Sequence, residues 1–176
     1  MIGDIKNSAM KDMNQPSNGE CCPEFHPEKW DEKTFHWDHK HFIKASIPTF
    51  FHIPFPPMIG KKVTIMMKLA EDAQKLADDK EDVLLLFTDP GAFRTELYLS
   101  VMDEVPDAEN AMLTGTYFSR AFEGDYNAVP KFIRQMEDSL SKQQKKAKNY
   151  YVHYAYCPKC AKKAGHNYLV LFAELE

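Results

Sequence analysis

The predicted elements of the chain occur twice in the same order. Residues 42–105 are predicted to form a strand, a helix and two further strands, and residues 110–176 follow the same order. Phe50 in the first unit and Tyr117 in the second are 67 residues apart. Because the spacing of matching elements stays constant, the pattern predicts an internal duplication of a βαββ unit.

The second unit is longer by one loop. Glu96 and Tyr168 are 72 residues apart, and the five additional residues fall within the loop 157–166. A βαββ unit alone leaves one sheet face uncovered, so two units are expected to pair into one antiparallel sheet with both helices on one face. The other face would curve into a groove, which is the usual form of a ligand site. The predicted fold class is therefore α+β, with a groove between the two repeats.

Two helices are predicted from apolar residues at helical spacing, over 59–78 and 127–147. Residues 1–41 have no steady period, and we expect an irregular N-terminal arm that precedes a domain over 42–176. Six strands rich in β-branched and aromatic residues are predicted over 42–55, 82–89, 95–102, 111–122, 149–156 and 167–175.

Charge and hydropathy limit the possible partners and the location. The chain has 176 residues and a net charge of −4, so no nucleic-acid surface is predicted. No apolar run approaches the roughly 20 residues that cross a bilayer, and no secretory signal is visible at the start. We therefore predict a cytoplasmic protein without a membrane partner.

The four cysteines lie in two clusters that are distant in sequence. Cys157 and Cys160 are separated by Pro-Lys, and Cys21 and Cys22 precede a proline near the start. Two thiols at this spacing can converge on one ion, and reduced thiols are expected in the cytoplasm. The pattern predicts a structural zinc site that joins the N-terminal arm to the last hairpin.

The fourth ligand of this site remains open between Cys21, His26 and His166, because adjacent cysteines rarely bind one ion together. Two other readings are a plain turn with buried thiols and a redox pair at a helix N-terminus. The cluster His36, His39 and His41 is interpreted as an exposed stretch rather than a second metal site.

The second unit carries motifs of a known family. It opens with Thr-Gly-Thr-Tyr-Phe at 114–118 and continues to Phe-Glu-Gly-Asp-Tyr at 122–126 before a helix. In this respect residues 42–176 resemble the GyrI-like small-molecule-binding proteins. Cys-Cys-Pro at 21–23, Phe-Phe-His-Ile-Pro at 50–54 and Cys-Pro-Lys-Cys-Ala-Lys at 157–162 resemble a bacterial subgroup that is often labelled hydrolase.

The resemblance implies a ligand groove. Relatives include drug-binding domains in which a buried carboxylate meets a cationic ligand among aromatic rings, a gyrase-inhibiting protein, and hydrolases that open strained rings. Glu96 is the best counterpart of that carboxylate. By strand alternation, Glu96 and Tyr98 face away from Leu97 and Leu99 and toward the groove.

We therefore expect the chain to bind a hydrophobic or cationic small molecule. The expected ligand-binding residues are Glu96, Tyr98, Phe51, Tyr117 and Tyr151. The alternative is a hydrolase that uses Glu96 as general base, and a weaker alternative is a gyrase-inhibitor-like protein interaction. The catalytic candidates in the hydrolase are Glu96, Tyr98, His52 and His153. The sequence leaves turnover, ligand identity, any protein partner and oligomeric state open.

Overall fold

A computed structural model describes residues 22–54 and 56–176, without the side chains of Pro54 and Pro56. Its elements are β1 (Lys33–Phe50), β2 (Ile53–Pro54), α1 (Pro56–Asp72), β3 (Leu85–Gly91), β4 (Arg94–Ser100), β5 (Glu109–Glu123), α2 (Val129–Lys142), β6 (Ala147–Tyr154), α3 (Pro158–Ala164) and β7 (Tyr168–Leu175). The predicted α+β class is confirmed. Each half runs strand, long helix, strand, strand, with the short β2 added after β1 and the short α3 added between β6 and β7.

The strands form an antiparallel sheet that closes into a barrel. Six strands are hydrogen-bonded in the order β1-β4-β3-β6-β7-β5, and β5 pairs again with β1. Closure depends on the length of β1, which pairs with β4 over 42–48 and with β5 over 33–44. The prediction of an open sheet with a concave groove is therefore wrong. Because β1 pairs with β5, neither strand is left with a free edge there and the sheet closes.

The N-terminal arm is shorter than predicted. β1 begins at Lys33, well before the predicted start at Phe42. Charged and histidine residues hide the alternation of this segment, yet its backbone is paired with β5 from Lys33 to Lys44. Before β1, the described arm contains a single 3-10 turn, Pro27–Lys29.

Both long helices pack on the outer surface of the barrel. α1 covers one side, where Ile43, Leu97 and Leu99 project from β1 and β4. α2 covers the other side, where Leu169 and Leu171 project from β7. Burial of these apolar faces supplies the main hydrophobic contribution to folding.

Aromatic side chains fill much of the barrel interior. Phe42, Tyr98, Tyr117, Tyr151 and Phe172 form one buried cluster, and Tyr117 is only 1% exposed. The rings of Tyr98 and Tyr117 each lie edge-on to Tyr151, with centroids 5.9 and 6.1 Å away. Instead of an open groove, the two halves enclose a packed interior in this region.

A bulge in β1 changes which residues face inward. The register with β5 shifts between Trp37 and Lys40, and His39 adopts a left-handed conformation with φ of 51°. The His39 amide donates to Thr114 Oγ1 at 2.9 Å, which fixes the bulge. Because an extra residue reverses the alternation, Trp37 and Lys40 share the inner side of the strand although they are three positions apart.

Among the described residues, no helix has the length and apolar character needed to span a membrane.

Candidate functional site

Three cysteines come together beside one end of the barrel. The sulfur atoms of Cys22, Cys157 and Cys160 all lie within 4.8 Å of one another. Cys160 is buried and the other two are half-buried. Thiolates bound to one zinc ion at about 2.3 Å are roughly 3.8 Å apart, so small side-chain movements would allow all three to bind the same ion.

Local structure explains how the thiols meet. Cys157 is the N-cap residue of α3 and Cys160 lies in its first turn. The helix ends at Ala164, and Gly165 follows in a left-handed conformation with φ of 77°. The Cys157 amide donates to Cys22 Sγ at 3.3 Å, which docks the arm against this helix. Burial is the main reason that the pKa of the Cys22 thiol lies above its usual value.

The structure reduces the number of candidates for the fourth ligand of the metal site. His26 lies near Glu81, with its Nδ1 3.2 Å from a carboxylate oxygen, and the ring of His166 packs between Tyr156 and Tyr168. Neither histidine belongs to the cysteine cluster. Cys21 lies outside the described residues. Three soft sulfur donors fit zinc, so the described residues could hold a metal ion.

Glu96 lies inside the barrel among cations. Its carboxylate is 3.1 Å from Lys44 Nζ and 3.1 Å from Arg94 Nη2, and Tyr98 donates its hydroxyl to the same group at 2.9 Å. Glu96 is 7% exposed. Strand alternation correctly placed Glu96 and Tyr98 on the inner face, but the cations that neutralise the carboxylate come from Lys44 on a neighbouring strand and from Arg94.

The surroundings of Glu96 keep it ionised. Burial acts to raise its pKa, but the hydrogen bond from Tyr98 and the charges of Lys44 and Arg94 outweigh this effect and lower it. Burial, followed by the hydrogen bond to Glu96, raises the pKa of Tyr98. Both oxygens already have partners, so water would have to replace one of these partners before Glu96 could act on it as a base.

A second carboxylate lies near the other predicted tyrosines. Glu174 on β7 is 2.9 Å from Lys148 Nζ and accepts a 3.0 Å hydrogen bond from Asn149. Burial and the charge of Glu174 raise the pKa values of Tyr117 and Tyr151. Tyr98, Tyr117 and Tyr151 are thus gathered inside the barrel, between the two neutralised carboxylates.

The other candidates lie elsewhere. Phe51 is 61% exposed at the turn after β1, next to the exposed Phe93, and His52 in the same turn lies 3.6 Å from Asp89. His153 faces the interior and meets the backbone of Leu85 through its Nδ1. Burial lowers the pKa of His153 to about 4. The structure therefore brings neither Phe51 nor His52 to the tyrosines.

An aromatic cleft lies on the inner side of β1, at a place the sequence did not indicate. It has a volume of about 520 Å³, within the range of small-molecule sites. Its aromatic residues are Trp30, Phe35 and Trp37. The remaining residues around it are Lys40, His41, Ala77, Asp82, Leu84, Ser100, Val101 and Met102. Only the bulge and the barrel closure bring these residues together, so no local motif could have revealed the cleft.

The charged residues around this cleft differ in whether they have an ion-pair partner. Asp82 is paired with Lys29 at 2.6 Å. Lys40 is half-buried, and its ammonium lies 5.9 Å from the centroid of the Trp37 ring. Burial lowers the pKa of Lys40, and this effect exceeds that of the Asp82 charge, which acts to raise it. A smaller cavity of about 60 Å³ lies under the arm beside His153 and has room for little more than water.

A family described as bacterial hydrolase matches residues 11–175. The chain belongs to this family. The matched residues contain the cysteine cluster, the Glu96 network and the aromatic cleft. A search of curated proteins found no match.

Membership of the bacterial hydrolase family leaves the reaction chemistry unspecified, since the description gives no substrate and no mechanism. It agrees with the hydrolase label that the sequence motifs suggested. Within the described residues, the polar clusters that bear on such chemistry are the three cysteines, the Glu96 network and the residues around the cleft.

Proposed function

We propose that this chain binds a hydrophobic small molecule in the aromatic cleft on the inner side of β1. The observation that carries the proposal is a space of about 520 Å³ walled by Trp30, Phe35 and Trp37. Flat aromatic walls favour a guest with a flat apolar body. The cleft thus takes the role that the sequence gave to a groove around Glu96.

The Glu96 region is a poorer candidate for a cationic guest. Such a ligand would have to displace Lys44 and Arg94, which already neutralise the carboxylate. It would also have to enter between the rings of Tyr98 and Tyr151, whose centroids are 5.9 Å apart. A hydrophobic guest in the cleft requires neither change.

We also propose that zinc binds Cys22, Cys157 and Cys160 in a structural role, with Cys21 as the fourth ligand. The cysteines tie the arm to α3, and the arm carries Trp30, a wall of the cleft. A closed four-ligand site leaves no position for a catalytic water. In this proposal the metal supports the binding site and takes no part in chemistry.

We further propose that the chain is related to the GyrI-like proteins, and the strand pairing of its two halves supports this. β1 pairs with β4 and β5 pairs with β7, while β3 and β6 meet at the junction of the halves. This arrangement suits two copies of one βαββ unit related by a pseudo-twofold axis.

The binding proposal is tested by titrating 2-naphthamide and following the fluorescence of Trp30 and Trp37. We expect saturable quenching and a rise in melting temperature. Ala77→Trp should abolish both effects, because the new ring would fill the cleft from its rim. Phe51→Ala should leave them unchanged, since Phe51 lies outside the cleft. Absence of saturable binding, or loss of binding in Phe51→Ala with retention in Ala77→Trp, would contradict the proposal.

Hydrolysis is the second candidate, because the family is described as bacterial hydrolase, and we propose Glu96 as its base. Glu96 would act on water as a general base, with Tyr98 orienting it. This reaction predicts turnover of a naphthyl ester, which Tyr98→Phe slows and Glu96→Gln abolishes while circular dichroism shows both variants folded. A protein that binds 2-naphthamide but hydrolyses no ester would leave binding as the function.

A further inference from the structure

We propose that the guest of the aromatic cleft carries a single negative charge, such as a carboxylate, and that Lys40 selects it. The inference rests on the proposed binding function and adds the chemical class of the ligand. It comes from the charges around the cleft and reverses the expectation of a cationic guest.

Within the described part of the chain, Lys40 is a cation without a salt-bridge partner. Among residues 22–54 and 56–176, no carboxylate forms a salt bridge with its ammonium, whose described contact is the face of Trp37. By comparison, Lys44 on the same strand is 3.1 Å from Glu96. A cation removed from water without an anion is costly, and a bound carboxylate would offset that cost.

The carboxylate that lines the cleft among the described residues, Asp82, already has a partner. Asp82 lies 2.6 Å from Lys29 Nζ, and its charge reaches Lys40 only as a weaker, longer-range interaction. The polar Ser100 hydroxyl accepts from the Leu84 amide at 2.8 Å. Lys40 is therefore the charged group that is available to a guest.

The bulge in β1 determines the position of Lys40. Without the bulge at Asp38 and His39, Lys40 and Trp37 would point to opposite faces of β1. The Trp37 ring packs against Tyr117, with centroids 4.2 Å apart, and the bulge sets the Lys40 ammonium over the same indole. A guest that lies in the cleft against Trp37 would therefore bring its carboxylate near Lys40. The arrangement combines an apolar surface for the body of the ligand with one cation for its end.

The experiment compares three probes of nearly equal shape by isothermal titration calorimetry. They are 2-naphthoate, the neutral 2-naphthamide and the cationic 2-naphthylmethylammonium. We expect 2-naphthoate to bind about three- to tenfold more tightly than 2-naphthamide, and the cation to bind most weakly. Added salt should weaken 2-naphthoate binding and leave 2-naphthamide binding nearly unchanged.

Lys40→Met should equalise the affinities of 2-naphthoate and 2-naphthamide while both still bind. Lys145→Met is the matched control, because the Lys145 ammonium lies 5.8 Å from the ring of Phe118, away from the cleft. That variant should keep the preference for the anion.

Equal binding of the neutral and anionic probes to the unaltered chain, or tightest binding of the cation, would overturn the charge selection and leave the binding proposal standing. A preference for 2-naphthoate that persists in Lys40→Met would overturn the role of Lys40. Failure of all three probes to bind would instead remove the proposed function itself.

Discussion

Two lysines of β1 illustrate two ways in which this barrel handles charge. Lys44 meets Glu96 at 3.1 Å, and the pair is completed by Arg94 and Tyr98. Lys40, a few positions earlier, lies over the ring of Trp37 with no ion pair among the described residues. The first group satisfies its charges internally. The second leaves a charge beside a space of about 520 Å³, as expected of a binding site.

The comparison teaches that a buried carboxylate is a poor guide to a binding site unless its partners are known. Glu96 has the residue type and the position of a ligand-binding acid, yet its environment is that of a structural ion pair. The group that is unpaired and next to open space is the better candidate.

Removal of the proposed metal has the largest expected effect, and it acts on stability and on the cleft together. Chelation, or Cys157→Ser, should release the arm and lower the free energy of unfolding by about 3–5 kcal/mol. Because Trp30 belongs to the arm, 2-naphthamide affinity should fall as well. Metal analysis with thermal melting checks this, and unchanged metal content and melting in Cys157→Ser would contradict the zinc proposal.

Glu96→Gln addresses the satisfied side of the comparison. We expect a loss of about 2–3 kcal/mol in the free energy of unfolding, because Lys44 would remain partly buried without its anion. The value is placed low because Arg94 is largely exposed. Urea denaturation measures it. Asp103→Asn, which breaks an exposed pair with Lys75, is the control and should leave the midpoint unchanged.

His153, whose ring lies 6.4 Å from that of Trp30, should make the stability of the protein depend on pH. Its pKa is about 4 in the folded protein and near 6.5 when unfolded, so the unfolded chain binds the extra proton first. Stability from this residue is complete above pH 6.5 and is lost as pH falls toward 4, by about 3 kcal/mol. Denaturation of His153→Gln across this range should show a smaller decline. An identical decline would show that other groups cause it.

Lys40→Met has the smallest expected effect on stability, and its sign is opposite to that of Glu96→Gln. Replacing a desolvated cation with an apolar side chain should change the free energy of unfolding by less than about 1 kcal/mol, toward greater stability. Urea denaturation without ligand measures this change in the free energy of unfolding. A destabilisation as large as that of Glu96→Gln would show that Lys40 is part of the structural network and would end the contrast.

Several parts of the site could be predicted because their signals are local. Alternation along one strand placed Glu96 and Tyr98 on the same inner face. The spacing of Cys157 and Cys160 indicated a shared site, and the pairing with Cys22 followed from the scarcity of other thiols. The cleft could not be predicted, because its residues come from the arm, β1, β4 and the segment before β3.

The sequence by itself determined the order of strands and helices and the two clusters of cysteines, since periodicity and residue spacing are properties of neighbouring residues. Only the tertiary structure decided that β1 reaches β5 and closes the barrel, that Glu96 is neutralised, and that Lys40 lies beside Trp37. These features depend on pairing between distant segments and on a one-residue change of register, which no local pattern specifies.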